Sequence, residues 1–113
     1  MVYRLKKNSA FKNVFDNGNF HADGRLTLYI LRNGTRNNYY GVSAGKKIGK
    51  SVYRNRVKRQ IKAAIRNNAR LVKPGHDIVV LARPGIKGEP FDMIEKSFVR
   101  LIKKGRVYAG EPA

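Results

Sequence analysis

The sequence predicts an α/β domain with the element order α-β-β-β-α-β-α. Three observations predict that class. Apolar residues recur at helical spacing in three separate stretches, runs of strand length lie between them, and glycine or proline stands at most of the junctions. With 113 residues, of which 42% are hydrophobic, the chain can bury one modest core. We therefore expect a single folded domain over residues 1–113.

The first elements are a basic arm, a short helix and an edge strand. Residues 1–7 have the composition of an extended arm. Asn8 or Ser9 can cap the helix that follows, and Gly18 ends it at a position where glycine is common. The apolar face of this helix consists of Phe11, Val14 and Phe15. Residues 19–22 are then expected to form a short edge strand.

Three longer strands are predicted in the rest of the chain. Residues 25–32 alternate between two faces. One face carries Leu26, Leu28 and Ile30, and the other carries Thr27, Tyr29 and Leu31. A turn over residues 33–38 leads to a returning strand over residues 39–44. Residues 77–83 (DIVVLAR) are almost continuously apolar, which indicates a strand covered on both faces.

Residues 45–70 have the most unusual composition, with ten Lys or Arg and no Asp or Glu. After a glycine-containing loop over residues 45–50, the pattern becomes helical, and Ser51 is in position to cap that helix. The apolar stripe is Tyr53, Val57, Ile61, Ala64 and Ile65, and the opposite side carries Asn55, Arg59, Lys62, Arg66 and Arg70. This predicts a helix with one side in the core and a cationic side in water, closed by Pro74-Gly75.

A last helix is expected over residues 91–104. Its apolar face consists of Phe91, Ile94, Phe98 and Leu101. Asp92 and Glu95 lie early in this segment and Lys103 and Lys104 lie late, an order that complements the helix dipole.

The charge balance points to a polyanionic partner. The formal net charge is +18 and the pI is near 10.8, and no carboxylate occurs between Asp23 and Asp77. Nucleic acid is the first candidate. The chain has no cysteine, no apolar run long enough to cross a bilayer and no apolar core of a signal peptide, so we expect a cytoplasmic protein without a membrane partner.

The residue pattern offers no catalytic site of its own. His21 and His76 are isolated and are interpreted as surface or loop histidines, and Ser43 and Ser51 have no partner that the sequence supplies. Residues 45–51 (GKKIGKS) resemble the phosphate-binding loop GxxxxGK[ST], but Ala44 stands where the first glycine is required. A nucleoside-triphosphatase is therefore disfavoured, although the loop lysines and helix N–H groups can still bind phosphate without catalysis.

Two groups of residues remain as candidate binding sites. A cationic helix face is usually only a solvated surface, but a face that served solubility alone would mix charges of both signs. The second group is aromatic: Phe11, Phe15 and Tyr29, with Lys12 and Arg25 nearby. These rings can belong to the core, or they can stack on single-stranded nucleotides at about 1–3 kcal/mol per base. Both interpretations hold if the first helix and the sheet form an open groove.

Several blocks together resemble the protein subunits of bacterial ribonuclease P. They cover nearly the whole chain: Arg4-Leu5-Lys6-Lys7 with Phe11 and Phe15, then Lys46-Lys47-Ile48-Gly49, the RNR block Arg54-Asn55-Arg56-Val57-Lys58-Arg59, and the DIVVLAR strand. The resemblance implies a compact two-layer α/β sandwich with a four-stranded sheet and a left-handed βαβ crossover. Lys62 departs from the family, which often has Arg there, and this change loses bidentate geometry.

The resemblance also implies an accessory role in an RNA enzyme. The catalytic RNA, with bound Mg²⁺, would remove the 5′ leader from precursor tRNA, while the protein screens charge and binds the leader. The resemblance assigns no catalytic residue and no metal ligand to this chain, and it implies no obligate protein partner. The implied contacts with the RNA subunit are Lys46, Lys47, Lys50, Arg54, Asn55, Arg56, Lys58, Arg59, Lys62 and Arg66. The implied leader cleft consists of Phe11, Lys12, Phe15 and Tyr29.

Two other functional classes stay open at this point. A ribosomal or general structural RNA-binding protein could use the same basic helix without any role in cleavage. A stand-alone nuclease would have to cleave RNA without an RNA subunit, and we predict that this chain does not.

Overall fold

A computed structural model describes residues 2–110 as five strands and three α-helices joined by short loops and turns. The strands are β1 (Tyr3–Arg4), β2 (Asn19–Ala22), β3 (Leu26–Arg32), β4 (Tyr39–Ser43) and β5 (His76–Ala82). The helices are α1 (Asn8–Asn17), α2 (Ser51–Asn68) and α3 (Phe91–Lys104). Every element predicted from the sequence is present, and the order α-β-β-β-α-β-α is confirmed after one additional strand, β1.

The five strands form one mixed sheet in the order β1-β4-β5-β3-β2. The central strand β5 pairs antiparallel with β3 and parallel with β4. Its residues Ile78, Val79 and Val80 are all fully buried, which confirms the prediction of a strand covered on both faces. The parallel neighbours β4 and β5 are connected through α2, so a βαβ unit is present. Its left-handedness stays a prediction.

Helices cover both faces of this sheet. The main core lies between one face and the helices α2 and α3, and it includes Leu28, Ile61 and Phe98. A smaller cluster on the other face joins α1 to the sheet through Val14 and Val79. The architecture therefore has three layers, and the expected two-layer sandwich is wrong. The reason is that β3 and β5 carry apolar side chains on both sides, and each side needs a cover.

The sheet also has five strands where four were expected. Residues 1–7 were expected to form only an extended arm, but Tyr3 and Arg4 pair in parallel with Tyr39 and Tyr40. The Leu5 N–H continues this ladder by donating to the Tyr40 carbonyl oxygen at 2.9 Å. Burial of Leu5 in the α1-side cluster explains why this basic segment joins the sheet edge.

The helix starts differ by one residue from the predicted caps. Lys7 and Lys50, not Asn8 and Ser51, occupy the N-cap positions of α1 and α2, and neither helix has a side-chain cap. The Ser51 hydroxyl instead accepts a hydrogen bond from Arg54 Nη2 at 3.0 Å. The predicted end of α1 at Gly18 is confirmed. Any Cβ there would lie 2.6 Å from the Val14 carbonyl oxygen, so only glycine fits.

Candidate RNA interface

The central helix α2 is amphipathic in the way its period predicts. Its buried residues are Val57, Ile61, Ala64 and Ile65, all in the main core, and Tyr53 packs partly buried beside them. The predicted opposite side is fully confirmed, because Asn55, Arg59, Lys62, Arg66 and Arg70 are exposed. Burial of one stripe thus fixes the direction in which the cations point.

The predicted RNA-binding residues lie on three consecutive pieces of chain. Lys46 and Lys47 belong to a short 3-10 turn (Lys46–Ile48), and Lys50 precedes α2. Gly49 connects them at a φ of 146°, a value that favours glycine. The remaining seven are on α2, where Arg54 and Lys58 are half-buried and Asn55, Arg56, Arg59, Lys62 and Arg66 are exposed.

These cations have no acidic partners in the described part of the chain. Within residues 2–110, three ion pairs form: Lys12 with Asp16, Arg25 with Glu89, and Arg100 with Asp23. None of them involves residues 45–70. The first turn of α2 also contains no acid, and its first backbone N–H groups have no partner within the helix. The positive potential of this surface is therefore left uncompensated.

The carboxylate that does contact α2 binds amides and not cations. Glu95 on α3 accepts hydrogen bonds from the side chains of Asn67 and Asn68, at 3.2 and 3.1 Å. Both amides lie in the last turn of α2. This arrangement joins the two helices at one end and leaves the charges of the RNR block unneutralised.

The aromatic residues of the predicted groove lie on the other face of the sheet, beside α1. Phe11 is half-buried over β4, and a Cβ on Gly41 would lie 2.5 Å from its ring. Phe15 is 39% exposed and packs edge-on against Tyr29, with ring centroids 5.0 Å apart at 86°. Tyr29 lies on the opposite face of β3 from Leu28, as the alternation predicts, and that face is the α1 side. The structure thus brings Phe11, Phe15 and Tyr29 to one face, and their rings are only partly buried.

Lys12 lies on the exposed flank of α1 beside this groove. Its side chain is 77% exposed, and its Nζ lies 2.8 Å from Asp16 Oδ2. A hydrogen bond from Lys12 to Asp16 and the charge of that carboxylate raise the pKa of the amine. The charge of Lys12 is therefore partly neutralised, unlike the charges on α2.

Sequence reasoning missed three aromatic residues of this face. Phe20 on β2 is 62% exposed and stacks on Tyr29, with centroids 5.7 Å apart at 30°. On the other flank of α1, Tyr3 packs against Tyr39 at 5.3 Å. The pairing of β2 with β3 and of β1 with β4 brings these rings together. Only the register of the strands, and no local motif, could have revealed them.

The histidines only partly match their interpretation as surface or loop residues. His21 is half-buried on the edge strand β2. His76 contradicts the prediction, since it is buried at the start of β5, where its Nδ1 lies 3.0 Å from the Lys73 carbonyl oxygen. Residues 2–110 bring together no group of three His, Asp or Glu side chains. No helix in the same range is long and apolar enough to cross a membrane.

An uncompensated cationic helix, an aromatic groove and an α+β scaffold define a nucleic-acid-binding domain.

A family model described as Ribonuclease P matches residues 2–106. The ribonuclease P protein component of Clostridium kluyveri is 42% identical over 109 residues, covering 95% of this chain and 97% of that protein. That of Clostridioides difficile is 44% identical over 101 residues, covering 88% and 89%. The Staphylococcus aureus RNase P protein structure is similar with a TM-score of 0.84 at 29% identity, covering 94% and 97%. The chain therefore belongs to the ribonuclease P family, as a protein subunit of that tRNA-processing ribonucleoprotein.

Proposed function

We propose that this chain anchors itself to the catalytic RNA of ribonuclease P through the exposed side of α2 and the loop before it. The observation that carries this proposal is the absence of any acidic partner, within residues 2–110, for the ten cations of residues 45–70. Phosphate groups are the natural counterions for such a face. Arg54, Arg56 and Arg59 supply forked donors that match phosphate oxygens, while Asn55 can hydrogen-bond ribose or base edges.

In this proposal the groove beside α1 holds the single-stranded 5′ leader of precursor tRNA. Phe11, Phe15 and Tyr29 present partly exposed rings on one face of the sheet. Stacking on such rings tolerates any base, which suits leaders of varied sequence. Lys12 on the flank of α1 adds a donor for the leader backbone. Leader binding favours precursor tRNA over mature tRNA, because the mature product has no leader.

Cleavage itself is assigned to the RNA subunit. The described residues offer no cluster of carboxylates or histidines that fits Mg²⁺. In this function the RNA subunit holds the metal, and this chain takes no part in the chemical step. What the protein contributes is charge screening and substrate positioning. We place the complex in the cytoplasm. We also take the β4-α2-β5 crossover as left-handed, because the family resemblance implies it.

Reconstitution with ribonuclease P RNA tests this function. We expect the protein to increase cleavage of precursor tRNA at low Mg²⁺ and to bind precursor more tightly than mature tRNA. Equal affinity for the two tRNAs would favour a general structural RNA-binding protein. RNA cleavage by the purified chain without its RNA partner would support a stand-alone nuclease, and no gain in cleavage on reconstitution would refute the proposal.

A further inference from the structure

The aromatic row beside α1 continues past Tyr29 to the edge of the sheet. Phe20 lies directly opposite Tyr29 in the β2-β3 ladder, and one face of its ring stacks on that tyrosine. The residue is nevertheless 62% exposed. The other face of the Phe20 ring is therefore open to solvent at the outermost strand. Tyr29 in turn contacts Phe15, so the three rings form a continuous series from the groove to this edge.

Two cations flank the same edge. Lys104 and Arg106 share a shallow surface depression with residues 18–21, and both are exposed. No carboxylate of residues 2–110 lies within ion-pairing distance of either one. Their neighbour Lys103 differs, because its Nζ lies 4.6 Å from the centre of the Tyr108 ring. Phe20 lines this depression together with two available positive charges.

The backbone of Arg106 has a strained conformation. Its φ of 60° lies in the left-handed region, and it is the one non-glycine residue there within residues 2–110. The chain reverses at this point: the Val107 N–H donates to the Ile102 carbonyl oxygen, and the Arg106 N–H donates to that of Lys103. Glycine is the residue that normally occupies this position after a helix. An arginine there is strained and adds a charge that the turn itself does not need.

We propose that Phe20, Lys104 and Arg106 form a distal subsite for single-stranded RNA at the β2 edge of the sheet. A base stacks on the open face of Phe20, and the adjoining phosphates contact Lys104 and Arg106. The occupant is the part of the leader that lies farther from the cleavage site than the nucleotides on Phe11 and Phe15. This inference rests on the proposed leader-binding function and predicts that the protein distinguishes long leaders from short ones.

The test uses the reconstituted holoenzyme and precursor tRNAs whose leaders are lengthened one nucleotide at a time. We expect affinity to rise in two steps as the leader grows. Phe20→Ala removes the second step, with a loss of about 5-fold or more for long leaders and no change for short ones. Phe20→Tyr, which keeps a stacking ring, retains that step. Short leaders serve as the internal control for folding.

Arg106→Gly separates binding from stability. Because glycine suits the left-handed turn, the variant should melt at the same temperature as the wild type or higher. Its binding of long leaders should lose about one unit of salt dependence, with short leaders unaffected. Lys96→Ala removes an exposed cation from the middle of α3, away from the depression, and should change neither property.

Two outcomes would overturn the subsite. One is an equal loss for short and long leaders in Phe20→Ala, which would make Phe20 an ordinary part of the groove. The other is no loss of affinity at any leader length, which would mean that the exposed ring contacts a protein partner and not the leader. If Phe15→Ala still weakens leader binding in either case, the proposed function survives and only the distal subsite fails. If no leader of any length increases affinity in the wild type, both fail.

Discussion

The two candidate surfaces of this molecule differ in how they are built. The cationic side of α2 comes from one continuous segment, and its charges project because the opposite stripe is buried in the main core. The aromatic row beside α1 is assembled from α1, β3 and β2, and its rings contact one another across the sheet. A local surface of charges provides affinity for any RNA backbone, whereas an assembled row of rings detects an unpaired strand. The proposed function thus assigns anchoring and substrate discrimination to two different surfaces.

The strongest way to break this comparison is to remove charge from α2. The double substitution Arg56→Ala and Arg59→Ala should weaken binding to the RNA subunit by about 100-fold or more, since a hydrogen bond to a charged group contributes about 1.5–3 kcal/mol. The slope of log affinity against log salt should fall by about one for each phosphate that the variant no longer neutralises. Filter binding at several salt concentrations measures both quantities.

The matched control for the double variant is Lys96→Ala, an exposed cation on α3. If it reduces the salt slope as much as a single α2 substitution does, the positive charge acts as a whole and α2 is not a specific anchor. Both α2 arginines are exposed, so thermal stability should stay close to that of the wild type.

The second prediction removes a ring from the groove. Phe15→Ala should weaken binding of precursor tRNA by about 5- to 150-fold, the equivalent of about 1–3 kcal/mol per stacked base. Mature tRNA should bind as before, and the salt slope should not change, because the substitution removes no charge. Phe15→Tyr is the conservative control. An equal loss of affinity for precursor and mature tRNA would mean that Phe15 has a purely structural role.

The contrast between the surfaces also explains what the sequence could predict. The period of Tyr53, Val57 and Ile61 fixes both faces of α2, because a helix places residues by a purely local geometry. A similar local rule places Tyr29 and Leu28 on opposite faces of β3, but it does not say which face α1 covers. It could not show that Phe20 stacks on Tyr29, since that contact depends on the register of two strands.

Other differences have the same origin. The pairing of Tyr3 and Arg4 with β4 joins residues far apart in the chain, and nothing in the short basic arm signals it. The family resemblance implied four strands and two layers, and it did not include the edge strand or the separate position of α1. His76 was misjudged because its burial depends on β5 being central. Long-range pairing, not propensity, decides each of these points.

A third prediction concerns an acid that has partners, in contrast to the unpaired cations of α2. Burial would raise the pKa of Asp23, but the N–H of Leu26, the Ser97 hydroxyl, the N–H of Arg25 and the Arg100 charge together lower it. Stability from this group is therefore complete above the ordinary pKa of about 4 and is lost as pH falls through the lower folded value.

Asp23→Asn should accordingly reduce the free energy of unfolding by about 1 kcal/mol at neutral pH and by less in acid. Urea unfolding between pH 2 and about 7 measures this difference. Asp16→Asn is the control, because its pair with Lys12 is exposed to solvent and contributes little to stability. The salt dependence of RNA binding by Asp23→Asn should equal that of the wild type. A change in this dependence would mean that Asp23 affects the RNA interface.

The smallest expected effect distinguishes a buried aromatic residue from the exposed ones. Tyr40 lies in the main core on the α2 side of the sheet, and burial raises its pKa from 10.0 to about 12. Since the unfolded chain releases this proton first, the contribution of Tyr40 to stability is complete below pH 10 and is lost as pH rises toward 12.

Tyr40→Phe should change stability little at neutral pH. In base its free energy of unfolding should exceed that of the wild type, by about 1 kcal/mol near pH 11. Leader affinity should be unchanged in Tyr40→Phe. A loss of leader affinity in that variant would mean that the core beneath α2 and the groove beside α1 are coupled, and that the two surfaces are not independent.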